Sequence, residues 1–379
     1  MAKRSIFEEV DSDTPKQAAK TGLIDAARQG ARGLIRLWLL ILFVMVVAMI
    51  LIGGLTRLTD SGLSITEWAP FSGAIPPLSA ADWQAQFAAY QTTDEFRLQN
   101  SAMTLEQFKT IFWWEWGHRQ LGRLIGLVWV VGFLGFLVTK RIPRGWTGRL
   151  LGLGVLGGAQ GAVGWWMVSS GLGAGVVDVA SYRLAVHLGL AFVILGLITW
   201  YVLRLARSAH ETMTARRNGD TGLSRLVSIL VALTFVQILL GALVAGIDAG
   251  RNYTDWPLMA GGILPPDPLS LEPIWRNFFE NDGLVQFMHR IAGYLVVAVG
   301  ILAMLRGRRS AIGTTRGAFI AMGAMLVLQL ALGVMTVLYS APLTLAILHQ
   351  LGAVALWVLI LRARFHARYP YPQSLRGPV

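Results

Sequence analysis

The chain contains no cysteine among its 379 residues. That absence excludes disulfides, thiolate-bound iron–sulfur clusters, cysteine-linked haem and thiolate nucleophiles, so any redox chemistry must use a bound cofactor. Charge is the second scarcity. Asp, Glu, Lys and Arg make up 14% of the residues, against about 25% in a typical soluble domain. Their place is taken by long apolar runs, and 54% of the chain is hydrophobic.

A hydrocarbon core about 30 Å thick takes roughly 20 apolar residues to cross as a helix. Eight runs meet that requirement: Leu37–Leu55, Leu121–Thr139, Leu150–Val168, Leu184–Leu203, Leu226–Ile247, Leu284–Leu305, Ala318–Leu338 and Pro342–Leu361. The expected fold is therefore an all-α integral membrane protein with eight transmembrane helices. The first run follows 36 polar residues and has no small-residue cleavage site after it, so it reads as a retained helix and not a signal peptide.

The formal net charge of +12 could suggest nucleic acid, but its distribution argues otherwise. With eight spans both termini share one side. That side holds 24 of the Lys and Arg residues and the other side nine. The positive-inside rule places both termini in the cytoplasm of a cell inner membrane, with acidic lipid headgroups as the contacts of the basic excess.

The chain repeats itself. Asp60-Ser61-Gly62, Thr66-Glu67-Trp68 and Pro76-Pro77 recur as Asp248-Ala249-Gly250, Thr254-Asp255-Trp256 and Pro265-Pro266. His118-Arg119 with Gly122 recurs as His289-Arg290 with Gly293, and His187-Leu188-Gly189 is answered by His349-Gln350-Leu351-Gly352. The reading is two tandem four-helix bundles related by a pseudo-two-fold axis along the membrane normal. The expected parts are a cytoplasmic arm (1–36), a first bundle with a long periplasmic loop (37–207), a cytoplasmic linker (208–224), a second bundle (225–365) and a cytoplasmic tail (366–379). Within the loop, Thr104-Leu105-Glu106-Gln107 fits a capping box that starts a helix running toward the second span.

Four histidines thus form two matched pairs, His118 with His187 and His289 with His349. A lone histidine in a membrane helix is commonly a packing or proton-pathway residue. Recurrence at equivalent positions of both halves points instead to two sets of axial haem-iron ligands, all near the outer face. Gly122 and Gly293, one turn after a histidine, fit close approach by a flat macrocycle. His210 and His366, in polar segments among arginines, read as solvated groups. Arg119, Arg123, Arg183 and Arg290 face outward against the charge rule and are candidate partners for haem propionates, with interfacial snorkelling as the plainer reading.

One position separates the halves. Glu115 precedes His118 by three residues, on the same helix face, whereas its counterpart before His289 is Gln286. A carboxylate at a bilayer edge is costly unless paired or used. An i,i+4 pair with Arg119 would be a structural use. Proton transfer, or stabilisation of developing positive charge, would be a catalytic one. The second reading puts chemistry in the N-terminal half and a permanent electron-transfer haem in the C-terminal half.

At these residues the chain resembles the haem A synthase family. The resemblance is carried by Gly53-Gly54-Leu55-Thr56-Arg57-Leu58-Thr59-Asp60-Ser61-Gly62-Leu63-Ser64, Met103-Thr104-Leu105-Glu106-Gln107-Phe108-Lys109 and Trp114-Glu115-Trp116-Gly117-His118-Arg119, and it extends over nearly the whole chain beyond the N-terminal arm. It implies an eight-helix oxidoreductase of the cysteine-free proteobacterial and mitochondrial type. Such an enzyme oxidises the C8 methyl of haem O to a formyl group, giving haem A for cytochrome oxidase. It implies haem b as cofactor on His289 and His349, substrate haem O near His118 and His187, and a requirement for Glu115. It also implies haem O synthase and cytochrome oxidase assembly factors as partners, and leaves room for a homo-oligomer. The rival readings are a di-haem b electron-transfer cytochrome, disfavoured because all four histidines lie toward one face, and a transporter, disfavoured because few polar groups lie in the cytoplasmic half of the spans.

Overall fold

The computed structural model describes residues 23–173 and 175–371. Twelve α-helices follow in order: α1 (Leu23–Leu58), α2 (Ala80–Gln91), α3 (Asp94–Leu98), α4 (Leu105–Val138), α5 (Thr147–Val168), α6 (Ser181–Leu205), α7 (Ala209–Arg217), α8 (Thr221–Gly246), α9 (Asn277–Glu280), α10 (Asp282–Gly307), α11 (Gly313–Leu338) and α12 (Leu343–Arg368). No strand occurs among the described residues. Eight of the helices, α1, α4, α5, α6, α8, α10, α11 and α12, are long and apolar enough to cross a membrane, as the eight apolar runs predict.

The helices outrun the apolar segments that announce them. α1 begins at Leu23, so the second part of the segment expected as an arm (1–36) is helix continuous with the first span. Residues 1–22 of that arm lie outside the described residues. α12 continues to Arg368, into the segment expected as a tail (366–379), of which residues 372–379 also lie outside. The linker 208–224 contains α7, closed by a capping box between Ser208 and Glu211. The Thr104–Gln107 capping box forms as expected and starts α4, a single helix that reaches Val138.

Packing follows the sequence repeat. In the first four spans α1 lies against α4 and α6, and α5 against α4 and α6. In the second four, α8 lies against α10 and α12, and α11 against α10 and α12. The halves join through α6 on α8, α1 on α12 and α6 on α12. Absent side chains let aromatic rings settle between helices. A Cβ on Gly132 would fall 2.2 Å from Trp38 Nε1, and one on Gly196 would fall 3.0 Å from Trp357 Nε1. Those indoles donate to the carbonyls of Val128 (3.0 Å) and Phe192 (3.1 Å), satisfying their buried N–H groups. A membrane interior gives helices no hydrophobic reason to associate, so such close fits carry the packing.

At the face where α1 ends, the long first loop folds back on α4. Phe87 and Tyr90 of α2 pack on Phe108 and Phe112 of α4, with all four buried. Fully burying a large apolar side chain contributes roughly 1.5–3 kcal/mol, enough for this cluster to hold the loop against α4. The repeated Asp-x-Gly turn is also structural: Asp60 and Asp248 both adopt left-handed backbone angles, φ 48° and 52°, a conformation that Asp tolerates better than most residues.

Candidate metal centre

The four histidines sit at one depth. At 1.5 Å per helical residue, His118, His187, His289 and His349 lie about 27–30 Å from the far ends of α4, α6, α10 and α12. All four therefore fall in the loop-bearing half of their helices.

Each ring is seated against a glycine on the helix that precedes it. A Cβ on Gly53 of α1 would lie 3.4 Å from His118 Nε2. On Gly164 of α5, Gly241 of α8 and Gly333 of α11 it would lie 2.9, 3.0 and 2.9 Å from Cε1 of His187, His289 and His349. The odd spans therefore supply four seats and the even spans four imidazoles. The glycines singled out in sequence, Gly122 and Gly293, do something else. They face Met49 Cε (3.5 Å) and Gln237 Nε2 (3.2 Å), and so make room for side chains of the neighbouring helix.

The ring centroids of His289 and His349 are 6.5 Å apart and their planes are nearly perpendicular, at 83°. An ion bound through one nitrogen of each ring at about 2 Å holds the two centroids roughly 6 Å apart, so this donor set fits a six-coordinate iron between two imidazoles. Chemistry agrees: the two rings are half-buried, each comes from its own helix, and the chain has no thiolate to compete.

Glu115 is 3% exposed and fully engaged. Its Oε2 accepts from Ser64 Oγ and Ile65 N, both at 2.8 Å, and its Oε1 accepts from Arg119 Nε (3.1 Å) and Nη2 (2.7 Å). Arg119 also donates to the carbonyls of Ile65 and Glu67. The second half ties the equivalent helix to its loop without an acid and with the hydrogen bonds to the loop reversed. Gln286 Nε2 donates to the carbonyls of Ala249 (2.9 Å) and Tyr253 (3.1 Å), its Oε1 accepts from Arg290 (2.8 Å), and Arg290 donates to the carbonyls of Tyr253 and Leu258. The i,i+4 pairing is thus real, and it ties each histidine helix to its loop.

The outward arginines divide into two kinds. Arg119 and Arg123 have Nε engaged, by Glu115 and by the Pro70 carbonyl. Arg183 donates to the Trp166 carbonyl (2.7 Å) and Arg290 to the loop, but the Nε of each is buried without a partner. Of the remaining histidines, His210 is exposed, as expected. His366 is not the solvated group expected of it: it is 6% exposed. The reason is the extension of α12, whose last turn is covered when Arg207 grips the Tyr369 carbonyl (2.6 Å) and stacks over Tyr371.

Residues 36–361 match the family of cytochrome oxidase assembly proteins designated COX15-CtaA. The chain belongs to that family. Three relatives carry the name "Heme A synthase". One from Ruegeria pomeroyi is 64% identical, covering 99% of this chain and 100% of its own. One from Paracoccus denitrificans is 60% identical, with 100% of both chains covered. One from Cereibacter sphaeroides is 55% identical, covering 99% of this chain and 98% of its own. The family resemblance read from the Glu115–His118 region is confirmed over the whole chain.

Sequence reasoning missed one set of residues. Gln160, Gln237 and Gln329 each place an amide nitrogen 3.1–3.3 Å from Nδ1 of His187, His289 and His349. The signal was present as a recurring Gln-x-x-x-Gly, at 160–164, 237–241 and 329–333.

Proposed function

We propose that this protein is a haem A synthase, converting the C8 methyl group of haem O into a formyl group to supply haem A for cytochrome oxidase. The observation that carries the reading is end-to-end identity with relatives of that name; the four seated histidines supply the chemistry. His289 and His349 hold the resident haem b, which when bound supplies one-electron transfer. His118 and His187 hold haem O. The free Nε groups of Arg183 and Arg290 suit its propionates and those of haem b, with Arg119 and Arg123 committed to shaping the loop.

Written with water as the oxygen source, the conversion is R–CH3 + H2O → R–CHO + 4 H+ + 4 e−, by way of the alcohol and the geminal diol, with the electrons passed to an external electron acceptor. The role of Glu115 follows from comparing the two clamps. Gln286 performs the mechanical task with a neutral amide, so the negative charge at 115 serves something that the second half does not do. A fixed, ionised carboxylate one turn from a substrate ligand stabilises positive charge developing at the oxidised carbon.

In this reading both termini are cytoplasmic, the sites face the periplasm, and a pseudo-two-fold axis along the membrane normal relates the halves. Its partners are a haem O synthase upstream and assembly factors downstream. The test is pigment analysis of membranes from a host that makes haem O but not haem A. Expression should bring haem A into the extract, and purified protein should carry stoichiometric haem b with substoichiometric haem O or A. Two stoichiometric haem b groups and no haem A would sink the reading in favour of an electron-transfer cytochrome.

A further inference from the structure

At the end of the bundle opposite the histidines, a cleft of about 490 Å³ lies between the first turns of α8 and the last turn of α12. Thr221, Ser224, Arg225, Ser228, Ile229 and Arg368 line it. The loop before α8 sets this geometry. Asp220 N donates to the Ala367 carbonyl (3.0 Å), and a Cβ on Gly219 would fall 2.5 Å from the Arg368 carbonyl oxygen. The missing side chain lets the two segments touch, which brings Arg368 beside the start of α8. A third arginine stands behind them: Arg364 Nε donates to Ser228 Oγ (2.9 Å), and its Cζ lies 4.9 Å from the ring centroid of Trp200 on α6.

These cations have no counter-charge. Among the described residues, none of Arg225, Arg364 and Arg368 forms an ion pair. Asp220, the carboxylate that starts the helix, is engaged as its N-cap, with Oδ1 accepting from Leu223 N (2.8 Å). Ser224 is 6% exposed and lines the cleft, and its hydroxyl makes no hydrogen bond among the described residues. Guanidiniums, a buried hydroxyl without a partner and the positive end of a 26-residue helix therefore meet at one place. That donor set suits a phosphate.

The general bias of charge toward one membrane face does not explain the arrangement, because that bias concerns loops and not particular helix turns. In the register set by Gly53 with Gly241 and by His187 with His349, the first half carries Arg36, Leu37, Leu40, Val202 and Ala206 where the second carries Ser224, Arg225, Ser228, Arg364 and Arg368. One cation stands where the second half has three. The arginines at the matching end of α6, Arg204 and Arg207, are spent on the hydroxyl and carbonyl of Tyr369. Ile229, on the span side of the cleft, is 54% exposed, so the space is cationic at its outer end and apolar toward the bilayer.

We propose that this cleft binds the headgroup of one anionic phospholipid, its phosphate on Arg225 and Arg368 and its first acyl carbons along Ile229. The lipid would tie the base of α8 to that of α12. The site stands apart from the haem chemistry and does not depend on it.

The test is native mass spectrometry of the purified full-length protein, stripped of lipid in neutral detergent. The probes are dioleoylphosphatidylglycerol, dioleoylphosphatidylcholine and inorganic phosphate. A single phosphatidylglycerol should bind at concentrations where phosphatidylcholine does not, and millimolar phosphate should leave it in place. Each arginine near anionic lipid is worth about fivefold in affinity. Arg225→Gln with Arg368→Gln should therefore weaken binding about 25-fold, and the corresponding Lys pair, which keeps the charge, by much less. Arg141→Gln with Arg144→Gln removes the same charge from another loop at this end and should leave the lipid bound. Circular dichroism checks folding, and the competition in the parent protein needs no variant. Equal binding of the two lipids, or equal loss in the two Gln pairs, would overturn the site. Displacement by inorganic phosphate would overturn the lipid assignment in favour of a free anion.

Discussion

Replacing Glu115 by glutamine removes one charge and almost no volume, and the structure says what each loss does. The carboxylate accepts four hydrogen bonds from three residues, Ser64, Ile65 and Arg119. The amide keeps one oxygen for Arg119, and Ser64 Oγ can reverse its role and accept. The N–H of Ile65 is left facing another donor. Hydrogen bonds to charged groups contribute about 1.5–3 kcal/mol each, so the local cost is about 2–3 kcal/mol. Arg119 stays attached through the carbonyls of Ile65 and Glu67. The loop should therefore survive. Catalysis should not: loss of a preorganised electrostatic stabiliser lowers kcat by about 10²–10³-fold. Haem O and haem A are quantified in membranes, with the haem b spectrum as the folding control. Turnover within about twofold of the parent with haem b intact would refute the electrostatic role. Loss of haem b together with activity would reduce Glu115 to a loop anchor.

Two further expectations follow from other residues. Gly333→Ala places a Cβ 2.9 Å from His349 Cε1, so it should displace the ring and cut haem b retention, whereas Gly157→Ala on α5, with no atom within 4 Å of its Cβ, should not; equal haem content in both would dismiss the glycine seats. Glu95 in the loop is 3% exposed, and burial, followed by the charges of Asp60, Glu115 and Asp178, raises its carboxyl to about 8. A raised acid stabilises the fold below its unfolded value and loses that contribution as pH climbs through the folded one. Thermal stability of the loop should thus fall between about pH 5 and 8 and Glu95→Gln should flatten the profile, measured by limited proteolysis across that range. Parallel profiles for the two proteins would contradict the assignment.

Much of this was legible in the chain. Apolar run length gave the eight spans, because a bilayer imposes one helix length on any sequence. The duplication gave the histidine pairs, because position within a repeat is a geometric statement. Helix ends were less legible: polar helical turns beyond the bilayer, as at Leu23–Arg36 and in the last turn of α12, carry no apolar signature. His366 was misread for that reason, its burial depending on Arg207 and Tyr371 far away in sequence or beyond the helix. The glutamines escaped notice because a single amide in an apolar run looks like an ordinary tolerated polar residue. Only the seating of a ring against the glycine one turn later gives the spacing meaning. The arginines could be ranked as propionate partners only once their carbonyl partners in the loops were visible.

Arg57 departs from the repeat, since its counterpart in the second half is Ala245. It ends α1 with its guanidinium on Asp60 (2.9 Å), Asp178 (3.4 Å) and Asp248 (3.0 Å), the last belonging to the other bundle. A duplicated protein whose halves each closed on themselves could come apart like two beads on a string. Here a cation of the first half is held by a carboxylate of the second, so the end of α1 is fixed in part from across the seam.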